Sequence, residues 1–414
     1  MSALIRHLAR LLVCCVGMAA AGCTSLGPQI PVATADEIAS QEASFGVRTL
    51  GSGGEFEVLP SRLVARRLQA QLGDGPLSVL ALSGGGAGGA FGAGAIVGLT
   101  RTGTRPSFSV VTGVSAGALV APLAFLGPEW DAEMADIYTG GAGEGLLRPR
   151  LLGAVFGSSL YSGAPLKRII ERYADDRMIQ AVATEAAKGR LLLVATTDFA
   201  TGEPVIWDLG SIALHGGQQA GPLLRTVLLA SSSVPGMFPP VKITFRAGGI
   251  EREETHIDGG VTLPFFIFPA AADLPAASAQ GNQATLVRIV IDGRLRNITR
   301  PAKANTLSIF SRGISAGLSR MVRATLESTV FESRQRGIVL DFAAIPLSYP
   351  LKSAFDFGPD AQRTLFQYAS SCAAAGRLWT RVQQSGDPQP RVVSADSQCP
   401  ADDSFLVRFA SLAD

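Results

Sequence analysis

Leu77-Ser78-Val79-Leu80-Ala81-Leu82 runs into Ser83-Gly84-Gly85-Gly86-Ala87-Gly88-Gly89, and Phe108-Ser109-Val110-Val111 runs into Thr112-Gly113-Val114-Ser115-Ala116-Gly117. The reading of these stretches decides the fold. Both apolar runs have the length of a buried strand, and both end in a glycine-bearing loop. Each loop opens into small and apolar residues of helical extent, the first carrying Phe91, Ile96, Val97 and Leu99. Strand, glycine loop, helix, strand, sharp turn, helix is a βαβ unit. It implies a parallel sheet, because parallel neighbours need a crossover.

The alternation continues outward. Leu191-Leu192-Leu193-Val194-Ala195 is a third buried strand, and Asp198 to Glu203 turns into Val205-Ile206-Trp207. Leu223 to Ser232 is expected as a helix ended by Pro235, and Thr255-His256-Ile257 as a strand running into Asp258-Gly259-Gly260. Leu286 to Asp292 and Ile338 to Ile345 are late strands on either side of a long helix, Asn305 to Arg334. The class is α/β.

Composition bounds the function. Of 414 residues 47% are apolar and 17% charged, enough for a sizeable core and incompatible with a disordered or fibrous chain. At roughly 150 residues per domain the length allows two to three domains, or one large domain with insertions. The 36 Lys+Arg against 34 Asp+Glu give +2, so no charge excess points to a nucleic-acid partner. The 47 glycines are about 11% of the chain against a usual ~7%, without a collagen period.

The N-terminus reads as an export signal. Arg6 and Arg10 form a basic region, and Leu11 to Ala21 is an apolar stretch shorter than the ~20 residues of a membrane span. Ala20-Ala21-Gly22-Cys23 resembles the lipobox of bacterial lipoproteins, although Ala20 stands where that family usually has Leu. The resemblance implies cleavage before Cys23 and acylation of that cysteine; the alternative is an ordinary signal peptide cut nearby. Loss of residues 1–22 removes Arg6 and Arg10 and no acid, leaving 34 basic and 34 acidic residues. Membrane attachment is then expected through lipid on Cys23. Thr24, rather than an Asp, follows Cys23, and the family-level expectation is the outer membrane, facing the periplasm. Cys372 and Cys399 remain as an even pair in an oxidising compartment and are expected to be disulfide-bonded, the alternative being two buried thiols. Residues 23–60 are polar and Gly/Pro-punctuated and are expected to be a tether. Residues 61–390 are expected to form the main domain, with 391–414 packed on it.

Three motifs carry chemistry. Gly113-Val114-Ser115-Ala116-Gly117 is G-x-S-x-G between a strand and a helix, a turn that presents a serine hydroxyl above a sheet edge. Gly84, Gly85, Gly86 and Ala87 open a helix, where closely approaching backbone N–H groups and the helix dipole suit a developing oxyanion. A phosphate loop is excluded, since no Gly-Lys-Ser/Thr follows. A dinucleotide site is disfavoured, since no Asp or Glu lies between Gly75 and Pro128. The third motif is Asp258-Gly259-Gly260. A serine needs a base, and no histidine follows His256, whereas an α/β-hydrolase triad places its histidine late. Asp258 at a strand end can serve if partial burial raises its pKa; alone, the motif reads more simply as an Asp-Gly turn.

Together these motifs resemble the patatin-like phospholipases, which have a glycine-rich oxyanion loop, a G-x-S-x-G elbow and a D-G-G/A aspartate in this order. Ala195-Thr196-Thr197-Asp198 and Ala230-Ser231-Ser232-Ser233-Val234-Pro235 resemble that family's intermediate blocks, so the likeness runs from about Leu77 to Pro264. It implies a three-layer α/β/α sandwich with a mainly parallel central sheet and a Ser-Asp dyad at strand ends. Ser115 would be the nucleophile and Asp258 the base of a lipid acyl hydrolase that needs no metal or cofactor. Gly88 departs from the Arg that many members carry, which leaves substrate preference open. The alternatives are an acyltransferase on envelope lipids using the same dyad, and a binding lipoprotein that keeps the fold without turnover. His256 is expected to be structural rather than catalytic, His215 to face solvent, and Phe265-Phe266-Ile267-Phe268 to pack in the core rather than line an acyl pocket.

Overall fold

The computed structural model describes residues 46–72, 77–149, 159–268, 285–296, 306–382 and 399. The chain begins there with a hairpin, β1 (Gly46–Leu50) and β2 (Phe56–Pro60), and helix α1 (Ser61–Leu72). Next come β3 (Ser78–Leu82), α2 (Gly89–Arg101), β4 (Val110–Val114), α3 (Ala116–Leu126) and α4 (Asp131–Thr139). Helices α5 (Ala164–Tyr173) and α6 (Asp176–Ala187) lead to β5 (Leu191–Asp198), β6 (Pro204–Asp208), α7 (Leu209–His215) and α8 (Ala220–Ser231). A second hairpin, β7 (Val241–Ala247) and β8 (Ile250–Asp258), precedes β9 (Leu286–Ile291), α9 (Thr306–Gln335), β10 (Val339–Ala344), α10 (Pro359–Ala374) and β11 (Thr380–Arg381).

The sheet order is β11-β10-β9-β3-β4-β5-β6-β1-β2. Its centre, β10 to β5, is parallel throughout, and the antiparallel pairs lie towards its edges. Side chains alternate between two cores because successive residues of a strand face opposite ways. Leu80 and Leu82, Val111, Leu192 and Val194 face the layer of α2 to α8 and α10. Val79 and Ala81, Val110 and Val114, Leu193 and Ala195 face the layer of α1, the C-terminal part of α9, and Phe265, Phe266 and Phe268. Burial on both faces explains the unbroken apolar runs, and the result is a three-layer α/β/α sandwich. The Phe265–Phe268 run is core, as expected.

One strand fixes the geometry of the centre. The eight residues of β5 offer two edges. β6 pairs with one edge, from Leu193 to Thr197. β4 pairs with the other only as far as Val114↔Ala195, because the chain then turns at Ser115. The next position on that edge, Thr196, is taken by Asp258 of β8. Two segments far apart in sequence therefore end side by side.

Residues 46–60 do not continue a tether. β1 pairs in parallel with β6, and the Arg48 guanidinium makes two hydrogen bonds with Glu254 of β8, at 2.5 and 3.0 Å, while stacking over Trp207 and Phe245. Val47 and Leu59 are buried in one core and Leu50 and Phe56 in the other, three residues apart within each strand, so the period-2 alternation that marks a strand is absent. Residues 1–45, which include the expected signal segment and Cys23, lie outside the described residues, as do 383–398 and 400–414. Cys372, in α10, is disulfide-bonded to Cys399.

Candidate active site

Ser115 sits between β4 and α3 with φ 53° and ψ −120°, and it is the one non-glycine residue with positive φ among the described residues. That conformation is costly for a residue with a Cβ and persists only where its surroundings enforce it. Here they do. Gly117 packs so closely on the end of β3 that a Cβ there would lie 2.4 Å from the Leu82 carbonyl oxygen. The Ser115 N–H donates to Ser231 Oγ (3.0 Å), Ser231 Oγ–H donates to the Ala195 carbonyl (2.7 Å), and Ser232 Oγ–H donates to the Ser115 carbonyl (3.1 Å).

Ser115 Oγ–H donates to Asp258 Oδ2 at 2.6 Å. Asp258 Oδ1 accepts from the Gly260 N–H at 2.7 Å, and the Asp258 N–H donates to the Ser233 carbonyl at 2.9 Å. Asp258 is 4% exposed and Ser115 7%. Burial pushes the Asp258 carboxyl up to about 7, against the opposing hydrogen bonds from Ser115 and Gly260. Gly259 gives close approach, since a Cβ there would lie 2.3 Å from the Ala195 carbonyl oxygen. The C-terminal end of α8 thus clamps both members of the pair. The block Ser231-Ser232-Ser233 carries no role legible in the sequence, because the contacts by which it holds Ser115 and Asp258 are all tertiary.

The glycine loop lies against Ser115: a Cβ at Gly84 would sit 3.2 Å from Ser115 Cβ and 3.9 Å from Oγ. Of the four residues expected to supply an oxyanion hole, two have their N–H groups committed elsewhere. Gly84 N–H donates to the Pro264 carbonyl (3.0 Å) and Ala87 N–H to the Ala354 carbonyl (2.7 Å). Those bonds hold the loop in place and correct the expectation for Gly84 and Ala87. Gly85 and Gly86 N–H groups make no hydrogen bond to any described residue.

Asp292, just after β9, braces the loop from beneath. Its carboxylate accepts from the Gly92 N–H at 2.9 Å, and its own N–H donates to Ser83 Oγ at 2.9 Å. Burial holds its carboxyl well above the usual carboxylate range. A Cβ at Gly88 would lie 1.9 Å from the Asp292 carbonyl oxygen. The Arg common at this position in the resembling family therefore has no room here without displacement of the end of β9.

His256 is fully buried beside the pair but bonded elsewhere. Its Nδ1 lies 3.0 Å from Thr196 Oγ1, which accepts from the Trp207 indole N–H, and its Nε2 lies 3.1 Å from Glu254. Burial pushes its pKa down, which keeps the ring neutral. It is a structural histidine of the β5–β8 seam. His215 is exposed at the end of α7. Among the described residues no cluster of His, Cys, Asp and Glu is arranged to hold a metal.

Residues 80–271 match the family model described as patatin-like phospholipase. That match runs from within β3 past Asp258, covering Ser115 and the glycine loop, and it points to an esterase or lipid hydrolase with a lipid substrate. No curated protein matches the chain. A solved structure, VipD from Legionella pneumophila, is similar at a TM-score of 0.31 and 12% identity over 82% of this chain and 71% of that one. A likeness of that size carries no argument about function.

Proposed function

We propose that the protein is a serine acyl hydrolase acting on the carboxylic esters of lipids, with Ser115 as nucleophile and Asp258 as general base. The observation that carries this reading is the 2.6 Å hydrogen bond from Ser115 Oγ to Asp258 Oδ2 at a serine held with positive φ. Ionised Asp258 takes the hydroxyl proton as Oγ attacks the ester carbonyl carbon. The tetrahedral oxyanion is met by the N–H groups of Gly85 and Gly86 and by that of Ala116, which as the first residue of α3 has no intrahelical partner. Protonated Asp258 returns the proton to the leaving alcohol, giving an acyl-enzyme. A water then loses its proton to Asp258, attacks the acyl carbon and releases the fatty acid, and Ser115 regains its proton. A fluorophosphonate probe is expected to label the wild-type chain. Ser115→Ala should abolish labelling and Asp258→Asn should reduce it on the order of 10²-fold or more. Undiminished labelling of Ser115→Ala would refute the assignment.

We propose further that the chain is exported and anchored by lipid on Cys23 in the outer membrane, facing the periplasm. The lipobox-like Ala20-Ala21-Gly22-Cys23 supports this, as does the bonded pair Cys372 and Cys399, a pairing that suits an oxidising compartment.

A further inference from the structure

α3 and α4 form a helical hairpin. α3 starts directly after Ser115, at the C-terminal end of β4, and runs away from it for 11 residues, about 16 Å. After a short connection, Gly127 to Trp130, α4 runs back for nine residues, about 13 Å. The last turn of α4 therefore returns towards the level of the nucleophile, and Tyr138 sits in that turn. Its side chain belongs to the core shared with α2 and α10. A Cβ at Gly89, the first residue of α2, would lie 2.9 Å from the Tyr138 hydroxyl oxygen and 3.1 Å from Ala116 Cβ. The hydroxyl is thus placed where the N-terminal ends of α2 and α3 meet, beside the residue that follows Ser115.

Tyr138 is 5% exposed, yet its hydroxyl makes no hydrogen bond to any described residue. Tyr173, at the end of α5, shows the ordinary outcome: its hydroxyl donates to Asp136 at 2.6 Å. Tyr368, on α10, is the opposite case, an unpaired hydroxyl sealed from solvent. Tyr138 fits neither, since its oxygen is unpaired but not sealed. Phenylalanine would serve core packing as well, and a hydroxyl carried into the interior without a partner costs stability. A partner that comes from outside the chain accounts for the oxygen.

The neighbouring groups say what kind of partner that is. The N–H groups of Gly85 and Gly86 have no acceptor among the described residues, and the Ala116 N–H opens α3. Donors gathered at two helix N-termini call for an acceptor carrying negative charge. Ester hydrolysis at Ser115 creates one there, as the carbonyl oxygen becomes an oxyanion. Burial and the nearby Asp292 carboxyl hold the Tyr138 pKa above its ordinary value, so the phenol stays protonated and can only donate at working pH.

We propose that the Tyr138 hydroxyl is a further oxyanion donor, converging with the N–H groups of Gly85, Gly86 and Ala116 on the carbonyl oxygen of the ester bound at Ser115. It gives a hydrogen bond and no proton; proton transfer stays with Asp258. This deepens the serine-hydrolase reading and rests on it. The test is Tyr138→Phe in the full chain, which removes one oxygen and keeps the ring. With p-nitrophenyl butyrate, kcat should fall on the order of 10²-fold, the usual cost of one oxyanion donor, while KM changes by less than about twofold. Inhibition by a trifluoromethyl ketone, whose adduct with Ser115 carries the same oxyanion, should weaken about tenfold or more. The unfolding midpoint in urea should stay at or above that of the parent, because the hydroxyl has no partner in the described chain. A kcat within about twofold of the parent overturns the proposal, as does a loss carried by KM alone. A lowered unfolding midpoint, with or without loss of kcat, assigns the hydroxyl to the fold, through Asp292 or another neighbour, and overturns it too. A parent chain that neither hydrolyses the ester nor reacts with a fluorophosphonate overturns the hydrolase reading itself, and the donor role falls with it.

Discussion

Ser115 and Asp258 divide the local constraints between them. The serine is held in an unfavourable backbone conformation by the hydroxyls of Ser231 and Ser232, and the aspartate in an environment that disfavours its charge. Both features favour reactivity over stability, a common trade at functional sites. A base must be ionised to accept a proton, and burial raises the Asp258 carboxyl to about 7, so the base form is lost as pH falls below that value. We expect kcat/KM for a soluble ester to rise about tenfold per pH unit up to about 7 and then level off. His256→Gln should leave that midpoint in place, because His256 bonds to Thr196 and Glu254 rather than to the pair. A midpoint near 4, the ordinary carboxylate range, would show that Asp258 does not work as the base from this environment.

At the scale of elements, the glycines have two separate uses. Those from Gly84 to Gly88 let the loop approach Ser115 and Asp292, while Gly94 and Gly98 let α2 touch α10. A Cβ at Gly98 would lie 2.5 Å from the Ser370 carbonyl oxygen and 2.6 Å from Ala373 Cβ. Helix propensity alone makes Gly98→Ala stabilising by ~1 kcal/mol. Overpacking in a tight helix interface costs ~1–3 kcal/mol, so we expect packing to prevail and the unfolding midpoint in urea to fall. A rise in that midpoint would mean that the two helices separate freely. Gly85 and Gly86 differ from these packing glycines in leaving their N–H groups without a partner among the described residues.

For the molecule as a whole, attachment and orientation are separate problems. A single lipid anchor would hold the chain near a membrane without deciding which face meets it. Export and anchoring predict that the wild-type chain fractionates with outer membranes and that Cys23→Ser is released as a periplasmic protein. Recovery of Cys23→Ser in the outer-membrane fraction would rule out acylation of Cys23 as the anchor. The disulfide between Cys372 and Cys399 ties the end of α10 to a residue 27 positions on. Closing a loop of that length contributes about 3.5 kcal/mol on a chain-entropy argument.

Much of this was readable from the chain itself. The apolar runs of β3, β4, β5, β9 and β10 announce a sheet covered on both faces, because only such strands need no polar alternation. The motifs around Ser115 and Asp258 single out those residues for the proposed chemistry because a tight turn between a strand and a helix admits few residue types. The hairpin of residues 46–60 was not legible, since its strands lack period-2 alternation, with Arg48 buried and Val58 exposed, in a stretch that composition alone reads as a linker. Nor was the competition for amides at Gly84 and Ala87, whose acceptors, Pro264 and Ala354, lie far along the chain. Sequence by itself determined the class of fold and which serine and which aspartate to propose as a pair, because both follow from local pattern. Only the tertiary structure decided that the pair meets, because β4 stops pairing with β5 at Ala195 and leaves Thr196 to Asp258.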